Sequence, residues 1–295
     1  MLTLKQLMII ALFVALTACS GGGADALPSP TPLLPTETVS APTPTPPPAA
    51  LTVNGEGIAT SAFDAALANY REAQTALGKQ ITDEDAAESV AEEFITQLLL
   101  AQGAYENGFT LDDTALQARI DGLAAKLGGA EKLSAWQQAH GYSNQSFGEA
   151  LRREAAAAWM RDKIASSVPS TAEQVHVRQI LLYNQENAEF YWNRLQAGTD
   201  FITIAAQVDP ITRGDLGWVP RGYLAEKPVE DAIFALEPET YSEIVQSNAG
   251  FHIFQLIERE TDRPLSPDQI LTLQAHAVGE WIADRRQQSS IGLTP

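Results

Sequence analysis

The chain of 295 residues contains one cysteine, Cys19, so no intrachain disulfide can form. Positive charge is scarce: 19 Lys and Arg stand against 37 Asp and Glu, giving a net charge of −18. An acidic surface repels phosphate backbones, which excludes nucleic acid as an expected partner. Histidine occurs four times, at 140, 176, 252 and 276, with no HExxH and no second cysteine, so no metal or cofactor site is expected. There is no GxSxG nucleophile elbow. The glycine pattern of GEGIAT, residues 55–60, ends on Thr60 and follows no convincing strand, so it fails as a dinucleotide loop. The acidic cluster Asp83-Glu84-Asp85 reads as a first helical turn matched to the helix dipole.

What is present begins with targeting. Lys5 and the amino terminus precede an apolar run, Leu7–Leu16, of signal-peptide length and too short to span a bilayer comfortably. It closes on Leu16-Thr17-Ala18-Cys19, which looks like a bacterial lipobox, with residues 1–19 as the leader and Cys19 as the lipidated first mature residue. Residues 20–50 read as a disordered tether, because nine of the seventeen prolines fall between Pro28 and Pro48 among Ser, Thr and Ala. Such a segment buries too little apolar surface to fold and favours extended geometry.

The folded part opens with Thr52-Val53-Asn54-Gly55, an extended piece ending in an Asn-Gly turn. Helices follow over residues 51–171. One is capped by Ser61 and runs to Leu77, and a second is capped by Thr82 with Val90, Phe94, Leu98, Ala101 and Tyr105 as its apolar stripe. Asp113–Leu127, Ala130–Ala139 and Gln145–Ser167 complete the set, the last with a capping box at Ser146–Glu149. After Pro169 the texture changes. Val175–Tyr183 is β-rich, Glu186–Ala197, Phe201–Gln207 and Val229–Leu236 are helical, and Glu243–Gln246 and Gly250–Arg259 are strands. Ser266-Pro267-Asp268-Gln269 then starts a closing helix, whose Ile270, Leu273, Ala277 and Trp281 need an apolar partner. The fold class is α+β: a helical domain completed by the C-terminal segment 263–295, with a small antiparallel sheet and its helices inserted at 172–262.

That inserted unit resembles a parvulin-type peptidyl-prolyl isomerase domain. The resemblance rests on five segments in order: VHVRQILL, LQAGTDFITIAAQVD, RGDLGWVPRGYL, VEDAIFAL and SNAGFHIFQLIE. With the lipobox, tether, VNG opening and helical block, nearly all of the mature chain is similar to PrsA/SurA-type extracytoplasmic foldases. The resemblance implies a catalytic set of His252, Asp209 and Gln179, and a seat for the substrate proline made by Leu216, Leu224, Val229, Phe234 and Ser247. Gln179 stands where the family carries a histidine. His176 cannot replace it, since a shift of three residues turns the strand over.

Turning an Xaa-Pro bond needs no nucleophile, because the barrier of about 18–20 kcal/mol comes from amide resonance. Preferential binding of the twisted amide lowers it. If the family's first histidine serves to orient His252, glutamine can do the same with its donor and acceptor. If that histidine acts on the transition state directly, activity falls by roughly 10²–10³. Two functions follow. One is a lipid-anchored isomerase and foldase of the cell envelope, acting on unfolded exported polypeptides and held to the membrane through Cys19. The other is a non-catalytic chaperone with a degenerate parvulin unit. A structural spacer, suggested by the tether alone, is a third.

Overall fold

The computed structural model describes residues 48–294. The leader, Cys19 and the tether up to residue 47 lie outside the described residues. The last tether positions are a correction: β1 (Ala49–Val53) already begins at Ala49. The remaining elements are β2 (Glu56–Ala59), α1 (Thr60–Ala76), α2 (Asp83–Glu106), α3 (Asp113–Leu127), α4 (Ala130–Ala139), α5 (Asn144–Ala165), β3 (Thr171–Leu182), α6 (Gln185–Gln196) and α7 (Phe201–Val208). They continue with β4 (Asp215–Pro220), α8 (Lys227–Ala235), β5 (Val245–Ser247), β6 (Gly250–Pro264), α9 (Pro267–Gln287) and β7 (Ile291–Leu293). Helices with small antiparallel sheets make this the α+β architecture expected.

Asn54 and Gly55 both adopt positive φ, 52° and 85°, so the β1–β2 connection is a tight hairpin turn. The third strand of that sheet is β7, which pairs antiparallel with β1 through Leu51–Val53 and which the sequence reading missed. Asn54 N–H donates to the Ser290 carbonyl at 2.8 Å, and Ser290 N–H returns a bond to Asn54 Oδ1 at 2.9 Å.

Two helix starts differ from expectation. Helix α1 begins at Thr60 with Ala59 as its uncapped boundary, so Ser61 lies inside it. Helix α5 is capped by Ser143, and the reciprocal box joins Ser143 to Ser146 rather than Ser146 to Glu149. Thr82 and Ser266 cap their helices as the motifs imply. The apolar stripe of α2 is also wider than one face. Tyr105 is exposed, while Ile95, Leu98, Leu99, Leu100, Ala101 and Ala104 are all sealed. The helix is central, packed by the β1–β2 side on one flank and by α5 and α9 on the other, so nearly its whole circumference is covered. Gly103 permits this closeness: a Cβ there would come within 2.6 Å of the Trp281 ring.

The second sheet has strand order β4-β3-β6-β5, with β3 and β6 paired from Thr171↔Pro264 to Leu182↔Phe251. The chain therefore enters and leaves this unit at adjacent points, and Leu265 N–H closes the gap onto the Ser170 carbonyl at 2.9 Å. One sheet face carries Ile180, Leu182 and Ile253 against α6 and α7. The opposite face carries Val175, Val177, Phe254 and Leu256 against Ile233 and Phe234 of α8. Helix α9 touches this unit by polar bonds: Gln269 Nε2–H to the Trp218 carbonyl at 2.9 Å and His276 Nδ1–H to that of Gly222 at 2.8 Å.

Candidate functional site

Side chains alternate along a strand, so register decides which residues share a face. Gln179 pairs with Phe254, and Leu181 with His252. All four therefore face α8, with Gln179 and His252 as diagonal neighbours. His252 is 7% exposed. Its Nδ1 lies 3.1 Å from Gln179 Oε1, and its Nε2 lies 2.6 Å from Ser247 Oγ. Because an amide oxygen only accepts, Nδ1 carries the proton, and Nε2 accepts from the Ser247 hydroxyl. Ser247 Oγ in turn accepts from Ala249 N–H at 3.0 Å. The imidazole lies nearly parallel to the Phe254 ring, with centroids 5.2 Å apart. Burial pushes its pKa below the usual histidine range, and the Glu226 carboxylate opposes part of that shift. The result is a neutral, oriented ring between two hydrogen-bond partners.

Gln179 is also clamped by its backbone. Its N–H donates to the Gly214 carbonyl at 2.8 Å. Gly214 has φ +73°, and a Cβ there would sit 2.0 Å from the Gln179 carbonyl oxygen, so only glycine fits. The glycine-rich stretch read as a loop thus contains β4, hydrogen-bonded along β3. Val177 pairs with Gly217 and Arg178 with Asp215, which leaves Leu216 as the extra residue of a β-bulge. Leu216 is 43% exposed.

The residues expected to form an apolar seat divide in two. Leu224 and Val229 are half-buried against the cluster formed by Phe254, Leu256, Ile233 and Phe234. Leu216 stands outside that cluster, on its bulge. Phe234 is 7% exposed, and the Arg221 guanidinium lies 4.1 Å above its ring. Arg259 donates to the Phe234 and Leu236 carbonyls, and Glu173 accepts from both arginines. Phe234 is thus floor rather than wall.

Asp209 follows α7, and its carboxylate accepts from Ile211 N–H at 3.0 Å, Thr212 N–H at 3.2 Å and the Thr212 hydroxyl. Those bonds, the hydroxyl first, hold its pKa below the usual carboxylate range. Among the described residues it makes no hydrogen bond to Gln179 or His252. His176 lies on the other face of β3, bonded through Nε2 to Asp215 at 2.8 Å.

Two residues escaped the sequence reading. Glu230 accepts from Gly222 N–H through both oxygens at 3.0 Å and from Leu224 N–H at 3.2 Å, which fixes the turn carrying Leu224. Glu226 accepts from Asn248 N–H at 3.0 Å, which fixes the turn carrying Ser247. The signal was the start of α8: Pro228 at its first turn places the helix start at Lys227, two residues before Val229. Among the described residues no cluster of three or more metal-ligating side chains occurs.

Parts of the chain are similar to known proteins. Residues 182–258 match the family model described as PPIC-type PPIASE domain, and residues 40–151 match that of the SurA-like N-terminal domain. A foldase protein PrsA of Halalkalibacterium halodurans is 36% identical over 92 residues, covering 30% of this chain and 27% of the relative. A chaperone SurA of Methylobacillus flagellatus is 27% identical over 258 residues, covering 72% and 58%. A foldase protein PrsA of Clostridium kluyveri is 25% identical over 228 residues, covering 65% of each. The chain thus spans less than two thirds of the length of each of these curated relatives. Among solved structures, a peptidylprolyl isomerase (PrsA) from Bacillus cereus superposes with a TM-score of 0.45 at 21% identity, covering 72% of this chain and 86% of that one.

Proposed function

We propose that this chain, which carries a PPIC-type PPIase domain and a SurA-like N-terminal domain, is a peptidyl-prolyl cis-trans isomerase and foldase. It acts on unfolded or partly folded exported polypeptides that contain Xaa-Pro bonds. The observation that carries the reading is the Gln179–His252–Ser247 hydrogen-bonded row, laid on Phe254 beside the apolar patch of Leu224 and Val229. Rotation about the imide breaks its resonance and makes the nitrogen more basic and the amide less planar. An apolar seat for the ring, with fixed polar groups beside it, binds that twisted form better than either planar isomer. Neutral His252 and Ser247 are already paired and cost little to reorganise. The Gln179 amide Nε2 makes no hydrogen bond among the described residues, which leaves it to donate to the carbonyl of the residue before proline. No covalent intermediate is required.

The parts are assigned as a leader at 1–19, a tether at 20–48, a SurA-like helical domain from 49, where β1 begins, to 171, the isomerase unit at 172–262 and a closing segment at 263–295. The lipobox supports attachment to a membrane through Cys19 in the cell envelope. Exchange spectroscopy on a proline-containing peptide tests the enzymatic reading. Wild-type protein accelerates interconversion, and His252→Ala loses most of that acceleration.

A specific observation favours a second reading, a chaperone without catalysis. Asp209 is occupied by its own turn, and Phe234 lies under Arg221, so neither faces a substrate freely. Under that reading the peptide is not accelerated, yet the protein still suppresses aggregation of an unfolded client.

A further inference from the structure

We propose that Glu226 is a specificity-determining residue that makes this site select proline segments flanked by a basic residue and discriminate against acidic ones. The inference deepens the proposed function and rests on it for the identity of the site. Glu226 occupies the boundary of α8, two residues beyond Leu224. Its Oε2 accepts from Asn248 N–H at 3.0 Å, and Asn248 adjoins Ser247, whose hydroxyl lies 2.6 Å from His252 Nε2. The carboxylate therefore bridges the turn that holds the apolar seat and the turn that holds the polar row.

Its charge has no cationic partner among the described residues. Of the nearby cations, Lys227 pairs with Asp231 at 2.7 Å, and Arg221 and Arg259 share the single carboxylate of Glu173, which leaves one positive charge among the three. Arg213 belongs to the loop beyond Asp209 and is exposed, so water and salt screen it. Glu226 is only half-exposed, and its field reaches the His252 ring, whose pKa it raises against the effect of burial. His252 itself is neutral. A substrate seated on Leu224 thus meets in Glu226 a carboxylate that no ion pair offsets. Glu230 keeps its charge, because the Gly222 and Leu224 N–H groups that hold its oxygens are neutral; in the charge count it offsets the one cation left over where Arg221 and Arg259 share Glu173, so the balance stays negative by Glu226.

The test uses the full chain and capped tetrapeptides Ala-Xaa-Pro-Phe, with Lys or Glu as Xaa. Exchange spectroscopy measures kcat/KM, and NMR titration measures Kd for the same peptides. For charges several ångströms apart at intermediate dielectric, the Lys peptide is favoured by about tenfold at low salt. That preference shrinks in 0.5 M salt, where the screening length is only about 3–5 Å. Glu226→Gln keeps an acceptor for Asn248 N–H, so the turn stays, and the preference falls to within about twofold. A purely structural role would lower both peptides alike and leave the ratio unmoved, which would overturn the inference, as would a wild-type ratio near one. If neither peptide is accelerated, the isomerase reading fails, and the Kd ratio decides in its place. Tighter binding of the Lys peptide that Glu226→Gln abolishes supports the role of Glu226; equal affinities refute it.

Discussion

His252 Nδ1 lies 3.1 Å from Gln179 Oε1, so a glutamine on β3 holds the imidazole of β6 in one tautomer. That bond joins residues 73 positions apart and ties the two longest strands on the face they turn toward α8.

Gln179→Leu leaves the buried Nδ1–H without an acceptor. Loss of an oriented hydrogen-bond partner is expected to lower kcat/KM by about 10²-fold on a proline peptide. Gln179→His supplies an acceptor nitrogen at the same place and retains at least wild-type activity. Exchange rates for the two variants side by side decide whether residue 179 works through orientation.

Acid weakens this site in a defined direction. The folded His252 has a pKa below that of the unfolded chain, so between those values the unfolded state binds more protons. The stability that neutral His252 contributes is present above about pH 6.5 and is lost as the pH falls below it. Urea midpoints measured from pH 7.5 down to pH 5 should decline, and His252→Asn should flatten that part of the slope. A wild-type slope that the variant leaves intact would contradict the assignment.

The two glycines around Leu216 differ in their demands. Gly217 has φ +70° and open space, so Gly217→Ala costs only about 1–2 kcal/mol of backbone strain. Gly214→Ala adds a Cβ 2.0 Å from the Gln179 carbonyl oxygen and must displace the strand. Its cost exceeds that of Gly217→Ala by at least about 2 kcal/mol, and activity falls with it. Denaturant unfolding of both variants gives the comparison.

In the helical part, Trp281→Ala removes the ring that fills the space over Gly103. A loss of about 3–5 kcal/mol is expected for a large aromatic in a packed interface. Gly103→Ala is destabilising with Trp281 in place and nearly neutral in the Trp281→Ala background, a coupling that a double-mutant cycle measures.

Much of this was readable in the residues, for reasons that are local. Strand parity alone put Gln179 and His176 on opposite faces of β3, and Thr82 and Ser266 announced their helices by side-chain chemistry. Ser146 misled because the capping bond it offered was taken by Ser143, three residues earlier, which has the extended backbone a cap requires. β7 is three residues long and gains its place only by pairing with β1, a long-range event with no local sign. Asp209 before Pro210 carried two meanings at once. The structure spends its carboxylate on the Thr212 turn, whatever further role it has. The Arg221 lid over Phe234 is likewise tertiary: nothing in the spacing of 221 and 234 shows that Glu173 draws the guanidinium across the ring.

The pairing of β1 with β7 has a consequence for biogenesis. Asn54 and Ser290 exchange hydrogen bonds across 236 positions, and the unit at 172–262 is made between them. A nascent chain emerges with the free edge of β1 bare and keeps it so until β7, more than two hundred residues later, has been synthesised. The inserted unit, whose two ends meet at Thr171 and Pro264, has no such wait. Maturation of the helical part therefore waits for residues 290–293, after the inserted segment 172–262 has already been delivered.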